Sequence, residues 1–143
     1  MKAGAKGQGN DARRLREFTA FDKLSDDDLE RLVQAARHTS TSSAWPLIHE
    51  QTPSDNAYIL LTGEAAVYVG KERVNVVGPG EVIGESVLRR GKLRNATVTT
   101  TGPAEVLVIG RDDLAKLVAE IPALRETMDE TAARHEQGAA KAD

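Results

Sequence analysis

The sequence has no cysteine, and among its 143 residues there are only one Trp, two Tyr and two Phe. The missing thiols exclude a disulfide framework, a thiolate zinc site and a cysteine nucleophile, and they suit a reducing cytoplasm. The scarcity of aromatic side chains argues against stacking platforms for single-stranded nucleic acid. The core must then be built from Val, Leu, Ile and Ala, and any planar ligand must be gripped by aliphatic walls. An excess of positive charge is missing too: 19 basic against 22 acidic residues leave a formal charge of -3, with no global field to draw DNA or RNA. No run approaches the roughly 20 apolar residues of a membrane span. Met1 is followed by Lys2, Ala3 and Gly4 rather than by an apolar leader, so a cytoplasmic protein is expected.

What remains is an ordinary globular composition, 40% hydrophobic and 29% charged, with room for one domain of about 100–150 residues. Residues 1–14 are small, polar and glycine-bearing, a composition that buries too little to offset its ordering entropy, so a disordered arm is expected there. Order is expected from Leu15. Ser25 precedes Asp26, Asp27 and Asp28, an N-cap with acidic residues over the positive end of a helix dipole. Leu29, Leu32, Val33 and Ala36 follow at helical spacing, and Phe18, Phe21 and Leu24 are expected to anchor this helix to the core. Residues 15–38 thus read as an N-terminal helical segment.

Residues 39–110 change character to short β-branched runs broken by Gly and Pro. Strands are expected at Tyr58–Leu61, Ala65–Val69, Val74–Val77, Ala96–Thr101 and Glu105–Ile109, interrupted at Gly63, Gly70, Gly78-Pro79-Gly80 and Gly102-Pro103. Two packed sheets or a jelly roll fit this pattern. Helical spacing returns over residues 111–137: Leu114, Leu117 and Val118 share a face, Pro122 suits the first turn of a new helix, and Leu124, Met128 and Ala132 follow. Residues 138–143 read as a tail.

One stretch carries chemistry, Gly78-Pro79-Gly80-Glu81-Val82-Ile83-Gly84-Glu85-Ser86-Val87-Leu88 and onward to Val98. A dinucleotide GxGxxG fails because Ile83 stands at the third glycine position, and a Walker A loop fails at Leu93, which follows Gly91-Lys92, and at Ser86. A nucleophile elbow fails at Leu88. A third phosphate geometry fits: Gly84-Glu85 opening a one-turn helix after a strand, with Arg94 nine residues after Glu85 and just before the next strand. Backbone N–H groups at Glu85 and Ser86 would face an anion, Gly84 would permit close approach, and Arg94 would supply a charge-assisted pair. Ionised Glu85, an acceptor only, suits a sugar hydroxyl.

This stretch resembles the phosphate-binding cassette of cyclic nucleotide-binding domains, roughly Phe-Gly-Glu-Leu-Ala-Leu, a loop, then Arg-Ala-Ala-Thr-Val. Here it reads Ile83-Gly84-Glu85-Ser86-Val87-Leu88 and Arg94-Asn95-Ala96-Thr97-Val98. Phe21-Asp22-Lys23-Leu24-Ser25, Tyr58-Ile59-Leu60-Leu61-Thr62-Gly63-Glu64 and Gly78-Pro79-Gly80 extend the likeness over residues 18–137. The resemblance implies a mainly β fold with flanking helices: a double-stranded β-helix (jelly roll), an N-terminal helical segment and two C-terminal lid helices, with the cassette at residues 82–98.

For function the resemblance implies a regulatory, non-enzymatic sensor of cyclic AMP, with cyclic GMP second, and no cofactor or metal. Glu85 would take the ribose 2'-hydroxyl and Arg94 the phosphate. Backbone at Gly84, Ser86, Asn95 and Ala96 would hold the remaining oxygens, while Val67, Asn75, Val77 and Ile83 would flank the base side. His135 falls where relatives often place a lid residue. The regulated effector, a further domain or a partner protein, is expected outside this chain. Ser86 and Val87 depart from the usual Leu-Ala, and Asn95 from the usual small residue. Pro46 in a strand points to an irregular or edge position.

Plainer readings stand beside these. Glu85 and Arg94 would also make an ordinary surface pair worth about 0–1 kcal/mol, Arg89, Arg90 and Lys92 a solvated basic loop, His135 a solvent-facing helix residue, and Trp45 a packing residue. His38, His49 and His135 are scattered, against a metal site. The alternative at the level of function is a scaffold of the same fold that has lost its ligand and serves as an interaction module.

Overall fold

The structure, a computed structural model, describes residues 5–6, 9–48, 55–84 and 96–130. The chain runs β1 (Ala5–Lys6), α1 (Gly9–Arg16), a 3-10 turn (Thr19–Phe21), α2 (Asp26–Ala35), β2 (Arg37–Thr41), β3 (Pro46–Ile48), β4 (Asn56–Thr62), β5 (Ala65–Val69), β6 (Glu72–Val77), β7 (Val82–Ile83), β8 (Thr97–Thr100), β9 (Ala104–Gly110) and α3 (Arg111–Glu120). A further helix, α4, occupies residues 122–130. One sheet has the order β1-β2-β9-β4-β7 and the other β3-β8-β5-β6. Every described pairing is antiparallel.

β4 shows why the layers stack as they do. Its residues Ala57 to Leu61 are all buried, so the strand has no solvent face and reads as a continuous apolar run rather than an alternating one. Side chains alternate across a strand. Ala57, Ile59 and Leu61 therefore join the core under the helices with Leu107 and Ile109 of β9, and Tyr58 and Leu60 join the core between the sheets with Val106. The five-stranded sheet is the middle layer, helices lie on one face and the second sheet on the other.

α2 begins as its residue order requires. The Asp28 N–H donates to Ser25 Oγ at 3.1 Å and the Ser25 N–H to Asp28 Oδ2 at 3.4 Å, a reciprocal capping box. Phe21 and Leu24 are completely enclosed. α3 stops at Ile121, and Pro122 starts α4, where its missing N–H costs nothing. α4 is fixed to the 3-10 turn: the Thr127 hydroxyl donates to the Ala20 carbonyl at 2.7 Å, and Lys23 bridges Glu126 and Glu130. Arg31 of α2 pairs with Glu120 of α3.

Two expectations need correction. The chain is ordered earlier than Leu15, because α1 already begins at Gly9. Its residues 9–14 look too polar to fold, but their partners lie far along the chain. Arg14 donates in a fork to Glu105 of β9 at 3.1 and 2.8 Å. His38 of β2 stands between Asp11 and Glu105, 2.9 and 3.1 Å away, while Ala12 and Leu15 are buried. Trp45 is the second correction: 43% exposed, it is not a packing residue. It precedes β3, an edge strand whose register slips at Pro46. Its backbone is tied to β8, the N–H donating to Thr100 Oγ1 at 2.8 Å and the carbonyl accepting the Thr100 N–H at 2.9 Å.

Glu105 collects bonds from three other elements, the third being the Thr62 hydroxyl at 3.0 Å. The Arg14 fork outweighs partial burial and lowers its carboxyl pKa from an ordinary 4.5 to about 2. A depressed carboxyl pKa contributes stability that is complete above 4.5 and is lost as pH falls toward 2. Glu105→Gln should therefore lower stability to urea at neutral pH and flatten the acid limb of stability between those two values, as followed by circular dichroism. An unchanged acid limb would remove Glu105 as the clamp on α1.

Candidate functional site

The Gly78-Pro79-Gly80 turn is built by hydrogen bonds that the residue order makes possible. The Gly80 N–H donates to the Leu60 carbonyl at 2.7 Å, and the Leu60 N–H donates to the Glu81 carbonyl at 3.2 Å. The Glu81 carboxylate reaches back to accept the Gly78 N–H at 2.5 Å, a side chain capping its own turn three residues earlier. β7 then pairs with β4, Ile83 opposite Tyr58 and Val82 opposite Ile59. Gly84 follows at φ 83°, left-handed backbone that a side chain would strain. The strand thus ends in a conformation only glycine adopts readily, immediately before Glu85.

Of the residues singled out from sequence, Val67, Asn75, Val77, Ile83, Gly84 and Ala96 are described. Ile83, Val77 and Val98 belong to the core cluster between the sheets, and Val67 packs against it. Val67 lies opposite Asn75, and Ala65 opposite Val77, so Val67, Asn75 and Val77 share one face of the β5–β6 ladder. Val77 is wholly enclosed and supports that face from within, whereas Val67 and Asn75 are half-buried. Asn75 Oδ1 accepts the neighbouring Val76 N–H at 2.8 Å, beside a register shift between Val67 and Tyr68. Ala96 leads directly into β8, which pairs with β5.

The strand ends on either side of residues 85–95 therefore rise from a single aliphatic cluster, Ile83 on one side and Val98 on the other. Glu85, Ser86, Arg94, Asn95 and His135 lie outside the described residues. Sequence reasoning passed over Glu81, whose role as a turn cap is signalled only by its spacing from Gly78. A depression of about 370 Å³ elsewhere is lined by Asp55, Gly110, Arg111, Asp112 and Asp113; its carboxylates suit an anion poorly. Among the described residues no His, Asp and Glu grouping could hold a metal, and no helix is long and apolar enough to cross a membrane.

The family model described as cyclic nucleotide-binding domain matches residues 45–121, more than half of the chain. The chain belongs to that family. A cAMP-dependent protein kinase regulatory subunit of Hypocrea atroviridis is 26% identical over 110 residues, covering 77% of this chain and 24% of the relative. A cGMP-dependent protein kinase of Eimeria tenella is 29% identical over 110 residues, covering 74% of this chain and 11% of the relative. The chain thus spans about a quarter of the first relative's length and about a tenth of the second's.

Among solved structures, a cyclic nucleotide-binding domain from Methylobacillus flagellatus superposes with a TM-score of 0.81 at 22% identity, covering 97% of this chain and 86% of its own. The regulatory domain of Toxoplasma gondii PKA, solved with cAMP, gives a TM-score of 0.65 at 26% identity, covering 94% of this chain and 50% of its own. The jelly roll that the resemblance implies, one of the two arrangements the strand pattern allows, is the fold of these solved structures.

The turn geometry gives a stability test. Glu81→Ala removes the acceptor of the Gly78 N–H and should cost about 1–2 kcal/mol in urea unfolding, with Glu81→Gln recovering most of it. Equal stability of all three proteins would show that the cap is not needed.

Proposed function

We propose that this domain is a regulatory sensor that binds a cyclic nucleotide, cyclic AMP ahead of cyclic GMP, and does not turn it over. The observation that carries the reading is Gly84, left-handed at the end of β7 and followed by Glu85. Its neighbour Ile83 shares an aliphatic cluster with Val77 and Val98, against which Val67 packs. Likeness to protein kinase regulatory regions supports the ligand class.

In this proposal backbone at Gly84, Ser86, Asn95 and Ala96 faces the phosphate, Arg94 neutralises it, and Glu85 accepts the ribose 2'-hydroxyl. Val67 and Asn75 flank the base, backed by Val77 and Ile83; with so few aromatic residues the base is held by shape and aliphatic contact. An unpaired guanidinium in a partly enclosed site is costly, and a ligand phosphate relieves that cost. The segment around Gly84 then tightens and the helices between residues 111 and 130 respond as the output. A ligand drives that response only by binding the two states unequally, and a low-micromolar ligand has about 8 kcal/mol in total to draw on. The output acts on a kinase, channel or other effector that is either joined to this domain or a separate partner.

Calorimetric titration of the whole chain with cyclic AMP, cyclic GMP and 5'-AMP tests this reading. A cyclic nucleotide should bind at micromolar concentration or tighter. Arg94→Leu should weaken it about tenfold or more, from about 1.5–3 kcal/mol for a hydrogen bond to a charged group. No binding at millimolar ligand overturns the sensor reading and favours the ligand-free scaffold.

A further inference from the structure

Phe18 belongs to no binding motif, yet it touches the turn that leads to Gly84. Gly80 is buried, with φ 89°. A Cβ built on it would lie 2.8 Å from Phe18 Cγ, 2.9 Å from Cδ1 and 3.1 Å from Cβ. The Phe18 ring therefore occupies the space a side chain at residue 80 would need, and glycine is required there twice over, for its backbone and for the ring.

Phe18 is itself held by the helical layer. Its N–H donates to the Leu15 carbonyl of α1 at 3.0 Å, and its carbonyl accepts the Phe21 N–H of the 3-10 turn at 3.1 Å. α1 is clamped by Arg14 to Glu105, and the 3-10 turn is tied to α4 through Ala20 and Thr127. One side chain thus links that layer to a turn that leads through Glu81 and β7 to Gly84. β7 has only two residues with which to resist displacement.

We infer that Phe18 is a positioning residue for the ligand: its ring sets where the Gly78–Gly80 turn lies and so where β7 presents the Gly84 backbone. This rests on the cyclic-nucleotide reading above. A ring that merely filled core space would contribute to stability without affecting affinity. A positioning ring changes affinity as well, because misplacing the glycine backbone weakens every hydrogen bond made there.

The test uses the whole chain with Phe18→Ala, Phe18→Leu and, as a core control on α2, Val33→Ala. Cyclic AMP affinity is measured by calorimetry at a temperature where circular dichroism shows each protein folded. Phe18→Ala should weaken binding about three- to thirty-fold, the range of residues that couple a site through packing. Phe18→Leu, which keeps apolar bulk, should recover part of the loss and stay folded if the alanine variant does not. Val33→Ala should lower the melting temperature and leave affinity unchanged. On the Phe18 substitutions the amide signals of Gly80 and Gly84 should shift in nuclear magnetic resonance spectra. Wild-type affinity in a folded Phe18→Leu or Phe18→Ala protein, with both glycine signals unmoved, overturns the inference while the sensor reading stands. Absence of cyclic AMP binding in the unmodified chain removes both.

Discussion

Everything in this domain hangs on β4 having no outer face. A strand buried on both sides must have a partner layer on each, so the run from Ala57 to Leu61 demands helices on one side and a second sheet on the other. β9 pairs along the length of β4 and repeats the division, Leu107 and Ile109 toward the helices and Val106 toward the second sheet. The short β7 is placed by the same strand, through Tyr58 and Ile59. The position of Gly84 is thus inherited from a packing requirement made in the middle of the molecule.

The parts legible from sequence were those whose cause is local. Ser25 and Asp28 form a cap within four residues, Pro122 meets a helix start, and the β-branched runs recur as β5, β6, β8 and β9 with ends shifted by a residue or two. What escaped was non-local. Asp11 and Arg14 are ordinary polar residues until His38 and Glu105 stand opposite them. Trp45 resembles any core aromatic in the sequence, yet it stands exposed just ahead of the irregular edge strand β3.

The candidate site divides in the same way. Glycine after a strand is readable as a backbone device, and Gly84 adopts the left-handed conformation such a device needs. Val67, Asn75 and Val77 were named from resemblance to a family. That they share one face follows from the ladder register, in which Val67 meets Asn75 and Ala65 meets Val77. No periodicity announces Glu81 or Phe18, because a turn cap and a ring lying on a glycine are defined by shape rather than by pattern.

The brevity of β7 has a consequence for how the molecule breathes. Two residues paired to one neighbour at a sheet margin form a unit whose opening releases few hydrogen bonds and little apolar area. By that physics the interior strands β4 and β9 are expected to open only with the whole domain, and β7 at a smaller cost. The domain thus combines a rigid frame with one loosely fastened strip, and the left-handed Gly84 sits at the end of that strip.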